Sequence, residues 1–301
     1  MKIAITGGTG FVGQALTEEL LEHHHEVMIL TRNPDKYDNR SGVTYVKWLS
    51  DGAKPEEELE GIQAFINLAG ESINSGRWTD ERKKRIINSR INSTQEVMNI
   101  IKALKEKPAC LISASAIGYY PSSKTNTYTE ASTETADNFL GETVQIWEKE
   151  ASKANQLGIR VSYARFGIIL GKDEGALPRI ALPYKMFVGG TVGSGDQWMS
   201  WVHIKDIARA VHFIAETESI SGPVNVTSPS PVSMKDFGKT LGAVLGRPHW
   251  IPVPSLALKV AMGEMCALVL EGQKVLPSVL SENGFQFEYP ELKSALIDIY
   301  H

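Results

Sequence analysis

The first thirteen residues constrain the chain more than any other stretch. Lys2-Ile3-Ala4-Ile5-Thr6 is a short, mostly apolar run, and Gly7-Gly8-Thr9-Gly10-Phe11-Val12-Gly13 follows, with glycines recurring at positions 7, 10 and 13. Residues 14–21 then read as an amphipathic helix. A buried strand that turns sharply into a helix presents free backbone N–H groups and the positive end of the helix dipole to an anion. Gly7 permits the tight turn, Gly10 lets a pyrophosphate approach the backbone, and Gly13 allows close helix–strand packing. The pattern opens a β–α unit, so it predicts a dinucleotide site at Gly7, Thr9, Gly10, Phe11, Val12 and Gly13 rather than an empty glycine turn.

The next apolar strand, residues 27–30, ends at Thr31-Arg32-Asn33-Pro34. In a dinucleotide fold an acidic residue here binds the ribose 2′-hydroxyl of NAD, whereas an arginine accommodates a 2′-phosphate. No Asp or Glu stands at this strand end, and Arg32 does, with Lys36 behind it. NADP is therefore the expected cofactor, held here by Thr31 and Arg32. The third strand ends at Trp48 and Leu49, candidates for the adenine wall. A fourth ends in Leu68-Ala69-Gly70, with Glu71 opening a loop rich in Ser, Asn and Gly. These four residues are expected along the cofactor at the carboxyl edge of the sheet. Residues 80–105 read as a helix with one apolar stripe, and its Arg82, Lys83, Lys84 and Arg85 as a solvated face.

Other features exclude. The net charge of −4 argues against a nucleic-acid partner. Neither a leader pattern nor a membrane-length apolar run is evident, and two cysteines are too few for a disulfide framework. The expectation is a cytoplasmic protein with a small-molecule substrate, no membrane partner, and room for a homodimer. The run His23-His24-His25 lacks the spacing of a helical ligand pair. It is read as a solvated turn with His24 in a left-handed conformation, so no metal is expected. From Pro229 the composition turns helical. We divide the chain into a dinucleotide-binding unit, residues 1–228, and a small C-terminal domain, residues 229–301.

Several segments in order carry a family resemblance: the opening glycines, residues 67–70, the serine-rich strand end at 113–121, residues 164–171 and residues 200–208. Together they resemble the extended short-chain dehydrogenase/reductase superfamily and its nucleotide-sugar epimerases. The tail, residues 263–277, is similar to an atypical branch labelled epimerase family protein. The resemblance implies an α/β fold, a Rossmann-type doubly wound parallel sheet, with a small, mostly helical C-terminal domain.

It also implies a catalytic set: a Ser or Thr at the end of the fifth strand, and a Tyr and a Lys four residues apart on the next helix. The Lys lowers the Tyr pKa so that the phenol can exchange a proton at neutral pH. Ser115 fits the first role, with a strand-capping hydroxyl as the alternative. By the family's spacing, however, Leu140 and Val144 fall at the Tyr and Lys positions, and neither can move a proton. Tyr119 is the substitute donor by proximity, although an unassisted phenol with a pKa of about 10 is a poor acid–base group. Glu71 and His203 stand in reserve. Arg165, after the sixth strand, either meets a carboxylate or the cofactor phosphates, or pairs with an acidic side chain. The sequence thus leaves two functions open: an NADP-dependent oxidoreductase or epimerase with an unusual proton donor, or an NADP-binding module without turnover.

Overall fold

The computed structural model describes residues 1–301, the side chain of Ala261 excepted. Seven strands form one sheet: β1 (Lys2–Thr6), β2 (Glu26–Thr31), β3 (Val43–Lys47), β4 (Ala64–Asn67), β5 (Cys110–Ala116), β6 (Arg160–Phe166) and β7 (Gly222–Val226). Their order is β3-β2-β1-β4-β5-β6-β7, and every neighbouring pair is parallel. Parallel strands need crossovers, which here are mainly the helices α1 (Phe11–Glu22), α2 (Asp80–Ala103), α3 (Phe139–Ala151) and α4 (Ile204–Glu216).

Strand periodicity divides the core. Ile3, Ile5, Val27, Ile29, Ile66 and Ile112 face one side, where they meet Leu16 and Leu20 of α1 and Ile207, Val211 and Ile214 of α4. Ala4, Met28, Leu30, Phe65 and Leu111 face the other, against Val97, Ile100 and Ile101 of α2 and Ala151 of α3. Strands covered on both faces read as continuous apolar runs rather than alternating ones. Trp48, expected at the adenine wall, is 4% exposed and belongs to this second core. The expectation fails because apolar burial claims the indole. Leu49 is exposed with φ of +48°.

Beyond β7 the chain is mostly helical: α5 (Met234–Leu245), α6 (Ser255–Met262) and α7 (Leu292–Tyr300), with shorter turns between them. Ser233 caps α5, its hydroxyl accepting from the Asp236 N–H. This region shares a third core with Leu170, Leu177 and Trp201 through Phe237, Leu241 and Leu296. The buried Asp206 carboxylate accepts the backbone N–H groups of Glu288 and Tyr289, tying the tail to α4. No helix among the described residues is long and apolar enough to cross a membrane.

Candidate functional site

The sheet order reverses beside β1, so the carboxyl ends of β1 and β4 open a crevice. Its floor is built by side chains. Thr6 Oγ1 donates to Asn67 Oδ1 at 2.7 Å and accepts the Ala69 N–H at 3.3 Å, and Asn67 Nδ2 donates to Thr94 at 3.0 Å.

The glycines differ in what they make room for. Gly7 has φ of +69°, and a Cβ there would lie 2.9 Å from the Leu68 carbonyl. A Cβ on Gly13 would meet Gly7 O at 2.3 Å. Both are demanded by the protein itself. A Cβ on Gly10 would meet only Gly7 O, at 3.4 Å, so the space above Gly10 belongs to no protein atom. Gly10 is also the N-cap of α1 and brings no side-chain cap, which leaves the first-turn N–H groups of Phe11, Val12 and Gly13 without an intrahelical partner. An uncapped helix start beneath an open backbone fits a pyrophosphate. Thr9 lies at the turn, its carbonyl accepting from Gln14 Nε2. The Phe11 ring packs where Gly171 and Gly175 lack side chains, and Val12 rests on the first core.

At the end of β2, Thr31 is buried and accepts the Trp48 N–H through its carbonyl. Arg32 is exposed and makes no ion pair among the described residues. Gly70 lies against the aliphatic stem of Arg90, whose guanidinium stacks on Trp147 and donates to the carbonyls of Glu71 and Ile86. Burial lowers the Arg90 pKa to about 10, leaving it cationic at neutral pH. The Glu71 carboxylate turns towards α2, 3.1 Å from Arg82 and 3.8 Å from Arg85. Arg82 is thus a half-buried tether, while Lys84 and Arg85 are exposed as a solvated face should be. Lys83 likewise pairs with Glu264 of the C-terminal region.

The second cluster sits at the end of β5. Ser115 Oγ donates to Glu148 Oε1 at 2.6 Å, and Ser115 is only 3% exposed. Arg165 donates to Glu148 through Nε and Nη2, both at 2.8 Å, and to the Tyr120 hydroxyl through Nη1 at 2.9 Å. Burial opposes the Arg165 charge, but the bidentate carboxylate outweighs it and raises the guanidinium pKa. Ser115 and Arg165 are both engaged within the protein. Ser115 has one proton, and Glu148 holds it, so it cannot also polarise a substrate oxygen in this arrangement. Arg165 takes the acidic partner that the sequence reading allowed, spending three of its five N–H donors on Glu148 and Tyr120. Tyr119 lies with its ring 3.5 Å from the Arg165 guanidinium carbon, half-buried, its hydroxyl without a hydrogen-bond partner among the described residues.

Glu148 escaped the sequence reading. The signal was present: it stands one helical turn beyond Val144 and two beyond Leu140, on the same face of α3. Leu140 and Val144 do not rebuild a proton relay. Leu140 instead joins an apolar cluster with Trp78, Phe139, Met262 and Met265. His203 caps α4 by accepting the Lys205 N–H and packs against the Tyr289 ring at 4.0 Å. Burial pushes its pKa down to about 4, so it is neutral, and it is held by the C-terminal region.

A family model described as NAD dependent epimerase/dehydratase matches residues 3–227 of this sequence. The chain belongs to that family. A domain of unknown function (DUF1731) matches residues 253–299. Among relatives of this epimerase-family chain, "Epimerase family protein YfhF" of Bacillus subtilis is 50% identical over 296 residues, 98% of this chain and 97% of its own. The crystal structure of the human epimerase family protein SDR39U1 with NADPH superposes with a TM-score of 0.86 at 32% identity, covering 99% of both chains. A nucleoside-diphosphate sugar epimerase of Corynebacterium glutamicum gives a TM-score of 0.78 at 30% identity, covering 99% of this chain and 58% of that one. The family is nucleotide-binding, with a Rossmann-like sheet of the short-chain dehydrogenase/reductase kind.

Proposed function

We propose that this epimerase-family chain binds NADPH across the ends of β1, β2 and β4, and that it acts as an oxidoreductase on a small molecule without the Tyr/Lys pair. The observation that carries the cofactor choice is Arg32, exposed and without an ion-pair partner among the described residues, at the β2 end where the sequence sets no Asp or Glu for a ribose 2′-hydroxyl. The human relative solved with NADPH supports the same choice.

Gly10 and the first turn of α1 accept the pyrophosphate, Arg32 the 2′-phosphate, and Leu68-Ala69-Gly70 the edge of the dinucleotide. The bound cofactor supplies a hydride. The Tyr119 hydroxyl, above the Arg165 cation, gives the proton to the substrate oxygen. Ser115 and Glu148 hold Arg165, and through it the Tyr119 ring, in place. General acid–base assistance is typically worth about a hundred to ten thousandfold, so without a Lys partner turnover on ordinary sugar-nucleotide substrates is expected to be slow.

A second reading, NADPH binding without turnover, draws on the closed hydrogen bond from Ser115 to Glu148. A substrate screen that follows NADPH absorbance separates the two. On any hit, Tyr119→Phe should depress the turnover rate with little change in NADPH affinity. Turnover indifferent to that change removes Tyr119 from the reaction, and silence across the screen favours the binding module.

A further inference from the structure

The turn after α1 carries a feature that the crevice does not use. His24 has φ of +59° and is exposed, as a turn residue should be, but His25 points inward and meets α4. His25 Nε2 lies 2.9 Å from His212 Nε2. Glu216 Oε1, one helical turn beyond His212, is 3.4 Å from that same nitrogen and 3.6 Å from His25 Nε2. A tetrahedral zinc with bonds of about 2.0–2.1 Å sets its ligand atoms roughly 3.3 Å apart, close to the spacing of these three. Behind the triangle, His212 Nδ1 sits 3.1 Å from Glu19 Oε1. A carboxylate in that position fixes the ring and the tautomer that leaves Nε2 free to bind. The His25 and His212 side chains are 9% and 7% exposed, whereas Glu216 is 54% exposed, so one side of the triangle is open to a water ligand.

We propose that His25, His212 and Glu216 form a binding site for one late transition-metal dication of the zinc type, oriented by Glu19 and clamping the end of α1 to α4. Two imidazoles and a carboxylate suit such ions better than magnesium or calcium. The rival arrangement is a hydrogen-bond chain: the Met1 ammonium donates to His25 Nδ1, His25 Nε2–H to His212 Nε2, and His212 Nδ1–H to Glu19. In the metal-bound form the His25 proton resides on Nδ1, so the Met1 amine must release its bond there. An alternative triangle of Glu19, His23 and the His212 Nδ1 is weaker. His23 is 54% exposed, and its Nδ1 already meets the Glu19 carbonyl oxygen at 2.9 Å.

The test is calorimetric titration of the full, chelator-stripped chain with Zn²⁺ in a non-coordinating buffer, together with its thermal midpoint. Saturable uptake of one zinc per chain, with a midpoint that rises with zinc, is expected. His25→Gln and Glu216→Gln should each weaken binding by at least about tenfold. Glu216 is exposed, so its variant keeps the test readable if changes to the buried histidines disturb folding. His23→Gln should bind as the unaltered protein does. The proposal is overturned by absence of saturable uptake, by affinity unchanged in Glu216→Gln, or by binding that disappears in His23→Gln while Glu216→Gln retains it.

Discussion

The two ends of the crevice are built on opposite rules. At the start of α1 the protein leaves its groups unanswered: the helix has no side-chain cap, the space over Gly10 is empty of protein, and Arg32 has no ion-pair partner among the described residues. At the end of β5 almost every polar group is answered from within, as Ser115, Glu148, Arg165 and Tyr120 satisfy one another. Donors open to solvent are met by water in the free protein and can exchange that water for the oxygens of a ligand. A closed network instead stabilises the fold and holds its neighbours rigid. The first end is therefore read as a binding element and the second as scaffold, beside which the Tyr119 hydroxyl is without a hydrogen-bond partner among the described residues.

The largest effect should come from opening the closed end. Glu148→Ala leaves Arg165 as an uncompensated buried cation, which typically costs about 3–5 kcal/mol. We expect a loss of that order in chemical denaturation, and substantial recovery in the double variant Glu148→Leu/Arg165→Met. A Glu148→Ala protein as stable as its parent would show that the network is not scaffold.

Acid should undermine the fold that holds both ends through His203, which caps α4 and packs on Tyr289. Its folded pKa of about 4 lies below the ordinary 6.5, so the unfolded chain binds the additional proton. The stability that this group confers is complete above pH 6.5 and is lost as the pH falls towards 4, by about 2–4 kcal/mol. His203→Asn, which keeps a capping side chain, should flatten that part of the stability–pH curve. A curve with the same slope in the variant would assign the acid sensitivity to other groups.

At the open end, Gly10→Val should lower NADPH affinity by about a hundredfold or more, equivalent to roughly 2.7 kcal/mol, while the thermal midpoint stays near that of the parent. Gly13→Ala provides the contrast: its Cβ strikes Gly7 O, so binding and stability should fall together. If the Gly10 variant binds NADPH normally, the dinucleotide lies elsewhere.

The smallest effect concerns Arg32. A charge-assisted contact contributes on the order of 1.5–3 kcal/mol, so NADPH should bind roughly ten- to a hundredfold more tightly than NADH. Arg32→Ala should remove most of that margin. Equal affinities for the two cofactors in the unaltered protein would withdraw NADP as the preferred form.

What the sequence determined by itself is local in origin. The apolar runs of β1, β2, β4 and β5 fix a parallel sheet covered on both faces, because such strands have no face to give to water. Gly7, Gly10 and Gly13 act over a single turn, and His24 takes its left-handed conformation within one helix end. Even the absent Tyr/Lys pair is visible as Leu140 and Val144. Only the tertiary structure decided the partners. Ser115 meets Glu148 across 33 residues, His25 meets His212 across 187, and Trp48 goes to the core rather than to a cofactor wall. A strand or a turn is selected by neighbours in the chain. The state of a polar side chain depends on which distant group arrives within hydrogen-bond reach, and the packing of helices on the sheet decides that.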